Sequence, residues 1–166
     1  MAATYLLSLY PACLGAVTMT STTVVALLAH VKVRYSITDN DGNKLLDFPY
    51  NPAQKIIGRE KEVAKAVRTH RAYENSKEWT ALTMPVMFAM SLYGGYLPYV
   101  SDRTNRWMVG LTSMTWCVGN VLYCNGYAKS NAERMIGFKI RTFAFKVFLT
   151  GSLASLSSYG YKKLTE

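Results

Sequence analysis

Arg71, Asn75 and Glu78 recur at i, i+4 and i+7, so on a helix advancing about 100° per residue they lie along one stripe. Arg68 and Trp79 flank them. A second set, in YCNGYAKSNAER, puts Tyr123, Tyr127 and Arg134 at i, i+4 and i+11, all within about 40° of one another on an unbroken helix. Guanidinium groups hold carboxylates bidentately and a carboxylate holds an ammonium. Carboxamide and phenol groups add neutral hydrogen bonds. The two stripes together suit a ligand that carries carboxylates and an ammonium at once.

Each stripe also has a plainer reading. Arg68, Arg71 and Glu78 at a helix end serve equally as a solvated, i, i+4 paired surface, and tyrosines at a bilayer boundary act as interfacial anchors. The combination favours the ligand reading, because ionisable groups that enter a membrane are costly unless paired. Glutathione has the matching set of groups.

The elements that must position these residues follow from where charge is missing. No Asp, Glu, Lys or Arg occurs in Tyr5–Val31, Trp79–Val100 or Trp107–Ala128, and Thr142–Tyr161 carries only Lys146. Each run reaches the roughly 20 residues that cross a bilayer as a helix, the form that satisfies its own backbone in lipid. The expected fold is therefore all-α, a four-transmembrane-helix bundle in one domain over 1–166, with helices at about 5–31, 60–100, 105–130 and 135–161. The mean hydropathy of +0.04 hides this pattern. The first run lacks a basic n-region and a small-residue cleavage site, and reads as a retained helix.

The net charge of +9 is concentrated between the runs. Residues 32–77 hold ten Lys or Arg against six Asp or Glu, and 129–141 hold four against one, which puts both connectors on the cytosolic or matrix side. Nucleic acid is not an expected partner. Pro11 and Pro85 are expected inside helices. The connector 36–58 is rich in Asp, Asn, Gly and Pro and reads as turns, and its DNDGN lacks the spacing and terminal Glu of a calcium loop. Cys13, Cys117 and Cys124 have no metal-like spacing and read as small buried hydrophobes, without a disulfide. Gly119 and Gly126, seven apart, are expected to let the third helix approach a neighbour closely.

The pattern R-x-x-R-A-x-x-N-x-x-E-aromatic at Arg68, Arg71, Ala72, Asn75, Glu78 and Trp79 resembles the signature of the membrane-associated proteins in eicosanoid and glutathione metabolism. YCNGYAKSNAERMIGF is similar to the spacing in that family's microsomal glutathione transferases, and KVRYSI at Lys32–Ile37 is a weaker third match. The resemblance implies a homotrimer of four-helix bundles with glutathione bound between subunits. It implies that Lys32, Arg71, Asn75, Glu78, Trp79, Tyr123 and Tyr127 hold glutathione as a cosubstrate and that Arg134 is catalytic, facing the thiol, with no metal. Three departures accompany it. Trp79 stands where the family commonly has tyrosine, Val33 where the leukotriene-forming enzyme has a second arginine, and the connector between Tyr35 and Arg71 is longer.

The first expected function is a membrane-bound glutathione-dependent transferase or peroxidase acting on lipophilic electrophiles or lipid hydroperoxides, in the endoplasmic reticulum or a mitochondrial membrane. A second is a structural accessory subunit that keeps the fold inside a larger membrane complex, such as a mitochondrial respiratory complex. A non-catalytic lipid-binding regulator is a third.

Overall fold

The computed structural model describes residues 2–36, 60–130 and 132–166, so nearly all of the 36–58 connector lies outside the described residues. Four helices account for most of the rest: α1 (Ala2–Tyr35), α2 (Glu60–Tyr93), α3 (Asp102–Lys129) and α4 (Arg134–Thr165). No strand occurs among the described residues. Pro11 and Pro85 lie inside α1 and α2 as expected.

The second helix ends sooner than its apolar run. Gly94 and Gly95 follow Tyr93 and tighten into a short 3-10 turn at Gly94–Tyr96, and glycine is the residue a helix interior tolerates least after proline. Asn105 then reaches back from α3 and donates its Nδ2 to the Met90 carbonyl at 3.2 Å, occupying one of the acceptors a helix end leaves unpaired. α3 begins where Ser101 accepts the Thr104 backbone N–H on its hydroxyl at 3.1 Å, a standard N-cap contact. Asp102 in its first turn suits the helix dipole.

α2 and α3 pack against each other and each also packs against α1 and α4, while among the described residues α1 and α4 are not packed against one another. The tightest seam lies between α3 and α4. A Cβ on Gly119 would stand 2.6 Å from the Arg141 backbone N, one on Gly126 would meet the Glu133 carbonyl, and one on Gly137 would overlap the Tyr123 backbone. Gly119 and Gly126 behave as expected, and Gly137 supplies the same clearance from the opposite helix. Gly137→Ala is expected to push α4 off α3 and lower stability by about 2 kcal/mol, in the range of overpacked cores, read as a fall in the thermal midpoint of the detergent-solubilised protein.

The core mixes apolar side chains such as Met19, Met87, Trp116 and Phe148 with polar ones, and large apolar side chains also cover the outside of the bundle. Ser76, Thr83, Ser113, Asn120, Arg141 and Ser155 are buried, whereas Val17, Trp107, Leu111, Met114, Phe143 and Leu153 are more than half exposed. By length and apolarity one helix, α1, is sufficient to cross a membrane, over Leu9–Val33. α2, α3 and α4 fall short of that measure because hydroxyls, amides and a guanidinium line their inner faces. Four helices of the expected order are present, and membrane-spanning apolarity is met by the first.

Two expectations about position are corrected. Arg141 falls within the expected fourth helix but is counted among the boundary charges of 129–141; it is instead an interior residue, its side chain 1 % exposed, because α4 starts at Arg134 and has completed about two turns by that point. Arg134 is not on a continuation of the third helix: α3 stops at Lys129, and Ser130 caps it by donating its N–H to the Gly126 carbonyl. Cys13 is exposed, unlike buried Cys117 and half-buried Cys124, and all three thiols are free.

Candidate functional site

Helix α2 turns a core stripe of Thr69, Ala72, Ser76, Thr83 and Met87 inward. Arg71 and Glu78 fall on the far side and are exposed, each without an ion pair among the described residues. Asn75 sits at the edge between the two faces and donates its Nδ2 to the Tyr123 phenol oxygen at 3.0 Å. The neighbouring charges are already paired: Lys77 lies 2.7 Å from Glu74, and that hydrogen bond raises the pKa of its ammonium. Arg71 and Glu78 are thus charges of this stretch without an ion-pair partner among the described residues.

Arg68, one turn before Arg71, is half-buried. Its Nε is enclosed and has no acceptor among the described residues. A buried donor of this kind is costly, and a carboxylate is the acceptor that fits it.

Tyr123 and Tyr127 project inward from α3 and are buried, their ring centroids 5.4 Å apart at 63°. At the outer end the Arg134 guanidinium lies 4.6 Å over the Tyr127 ring. It reaches that ring from the first residue of α4. At the inner end the Arg141 guanidinium lies 4.1 Å over Tyr123 and 5.0 Å from Trp79. Trp79 is in turn held edge-on by Phe138 and Phe145, at 6.1 and 5.4 Å. The result is one ladder, Trp79, Arg141, Tyr123, Tyr127, Arg134, built from three helices. Stacking of guanidinium on aromatic faces rigidifies such a row.

Asn75, Trp79, Tyr123, Tyr127 and Arg134 are therefore brought together. Arg71 and Glu78 are not joined to them: both are exposed on the outward face of α2, one turn to either side of Asn75. Lys32 is exposed near the end of α1 and forms no hydrogen bond or ion pair with the others among the described residues.

Arg141 and Asn120 were missed by the reading of the sequence. Asn120 is fully buried and collects one group from each of the other helices. Its Oδ1 accepts from Arg141 Nη1 at 2.9 Å and lies 3.0 Å from the Ser76 hydroxyl, and its Nδ2 donates to Thr22 Oγ1 at 3.3 Å. Cys124 joins through the Ser76 hydroxyl at 3.1 Å.

No known family model matches the chain, and no curated protein matches it.

Proposed function

We propose that this protein is a multi-pass membrane protein that binds glutathione and presents its thiolate to lipophilic electrophiles or lipid hydroperoxides. The observation that carries the reading is the joining of Asn75, Tyr123, Tyr127 and Arg134 in one contact chain, with Arg71 and Glu78, unpaired among the described residues, on the outward face of α2 one turn to either side of Asn75. Arg71 and the half-buried guanidinium of Arg68 are cations for the two carboxylates, and Glu78 is the partner for the ammonium. In this reading Arg134 meets the ligand's sulfur, where a guanidinium favours thiolate over thiol. The thiolate then attacks an electrophilic carbon, forming the C–S bond as the leaving group departs with the electron pair.

The apolar exterior of the bundle supports the placement in lipid. Polar groups inside a bundle and large apolar side chains outside it are what hydrocarbon surroundings favour, and an apolar surface of this extent is rare on a water-soluble monomer. Because Arg71 and Glu78 are exposed on a single chain, a second copy is expected to close the site over them, as in a homotrimer.

Arg71→Ala and Glu78→Ala are each expected to weaken glutathione binding by about 1.5 to 3 kcal/mol, the loss of one charge-assisted contact. Calorimetric titration of the purified, membrane-reconstituted protein measures this. Binding equal to wild type in both variants sinks the assignment of the ligand. The same exposed charges also suit a second reading, an accessory subunit in which Arg71 and Glu78 pair with a neighbouring chain. That reading predicts no glutathione binding and a single copy of this chain co-purifying with unrelated membrane subunits.

A further inference from the structure

Arg141 is the one Lys, Arg, Asp or Glu side chain that is buried among the described residues, at 1 % exposure. A cation in such an interior is costly unless paired. Among the described residues no carboxylate pairs with it. Its surroundings are neutral: the Asn120 carbonyl at 2.9 Å and the faces of Tyr123 and Trp79. Its Nε has no acceptor. Neutral partners solvate a charge without cancelling it, so the positive potential of Arg141 persists along the ladder toward Tyr127 and Arg134.

The same contacts give Trp79 a role. Indole is the strongest of the aromatic faces for a cation, so a tryptophan at this position fits a site that has a guanidinium behind it. A tyrosine there would offer a weaker face.

We propose that Arg141 is a positioning residue of this site: it fixes the ring planes of Trp79 and Tyr123 and places a second positive charge behind the point where Arg134 meets the thiolate. The inference rests on the glutathione reading above and adds to it an interior charge that acts through the aromatic pair. The titratable and charged groups facing the ladder are Tyr123, Tyr127 and Cys124 from α3 and Arg134 from α4, while α2 contributes the neutral Asn75 and Ser76 and carries Arg71 and Glu78 on its outward face. From α1 the network receives the neutral Thr22, by way of Asn120.

The test is the ultraviolet absorbance of bound glutathione thiolate against pH for wild type, Arg141→Met, Arg141→Lys and Asn120→Asp. Arg141→Met removes the charge and is expected to raise the ionisation midpoint by roughly one pH unit, the effect of a unit charge about 10 Å away at an effective dielectric constant near 20. Arg141→Lys keeps the charge and is expected to stay near wild type. Asn120→Asp retains the acceptor for Arg141 but adds a carboxylate that neutralises it, so the midpoint is expected to rise while the thermal midpoint of unfolding does not fall. A residue that merely props up the bundle gives no shift in that variant.

If Arg141→Met fails to fold, Asn120→Asp still decides. A wild-type protein with no thiolate absorbance at any pH overturns the glutathione reading and this inference with it. Wild type with a clear thiolate signal and Asn120→Asp superimposed on it overturns the role of Arg141 alone.

Discussion

Asn120→Leu is expected to destabilise the bundle by about 3 to 5 kcal/mol, because it strands a buried cation. Leucine fills a similar volume but offers Arg141 Nη1 no acceptor, and it also removes the partners of the Ser76 and Thr22 hydroxyls. Of these losses the guanidinium dominates. Ser76 still donates to the Ala72 carbonyl at 2.8 Å and Thr22 to the Met19 carbonyl at 2.8 Å, whereas Arg141 loses its amide acceptor and is left with Tyr123 and Trp79. The measurement is the midpoint of denaturant or thermal unfolding in mild detergent. The double variant Asn120→Leu with Arg141→Met should recover much of the loss, since replacing both partners by apolar groups removes the stranded charge along with its acceptor. A double variant no more stable than Asn120→Leu alone would place the cost in leucine's shape and not in Arg141.

That node explains what could and could not be read along the chain. Helix order and approximate limits were legible because charges mark the ends of apolar runs: α3 was expected at about 105–130 and spans Asp102–Lys129. Arg141 was not legible by the same method. Counting charges by segment assigns it to the connector that holds Lys129, Arg134 and Lys139, though its spacing tells otherwise. Gly137, Arg141, Ala144, Phe148, Ser152 and Ser155 are the buried positions of α4, separated by three or four residues as one helix face requires. A cation on the small and apolar stripe of a helix is a signal that segment-wise counting discards. On α3 the inner stripe Ser113, Trp116, Asn120, Tyr123 and Tyr127 shows the same spacing, and it places the missed Asn120 in line with the two tyrosines that were recognised.

The candidate site was legible in its composition and only partly in its geometry. Asn75 and Tyr123 meet across α2 and α3 at 3.0 Å, a contact no single-helix argument provides. Tyr127 and Arg134 do meet, but for a reason different from the expected one. The unbroken helix that would have aligned them ends at Lys129, and Arg134 meets the Tyr127 ring from the start of the neighbouring helix. Gly126 is what allows the start of α4 to lie so close to α3, since a side chain there would run into the Glu133 carbonyl. The charge is thereby anchored at the base of α4, on a fixed aromatic platform.

An anchored Arg134 leads to the second large effect. Arg134→Ala is expected to raise the pH at which bound glutathione ionises by about two units, roughly 2.7 kcal/mol of differential stabilisation, with a much smaller change in affinity for the neutral thiol form. The separation follows from when the charge matters: a cation beside the sulfur contributes as negative charge develops there and little before it. Arg71 and Glu78, which face the ends of the ligand in this reading, should show the converse, weaker binding with an unmoved midpoint. Arg134→Lys is the informative control. It retains the charge but loses the planar fork that stacks on Tyr127, so its midpoint should fall between those of wild type and Arg134→Ala. If all three titrations of thiolate absorbance superimpose, the stacking of Arg134 on Tyr127 is packing alone, and the exposed Arg71 and Glu78 are better understood as contacts to a neighbouring membrane subunit.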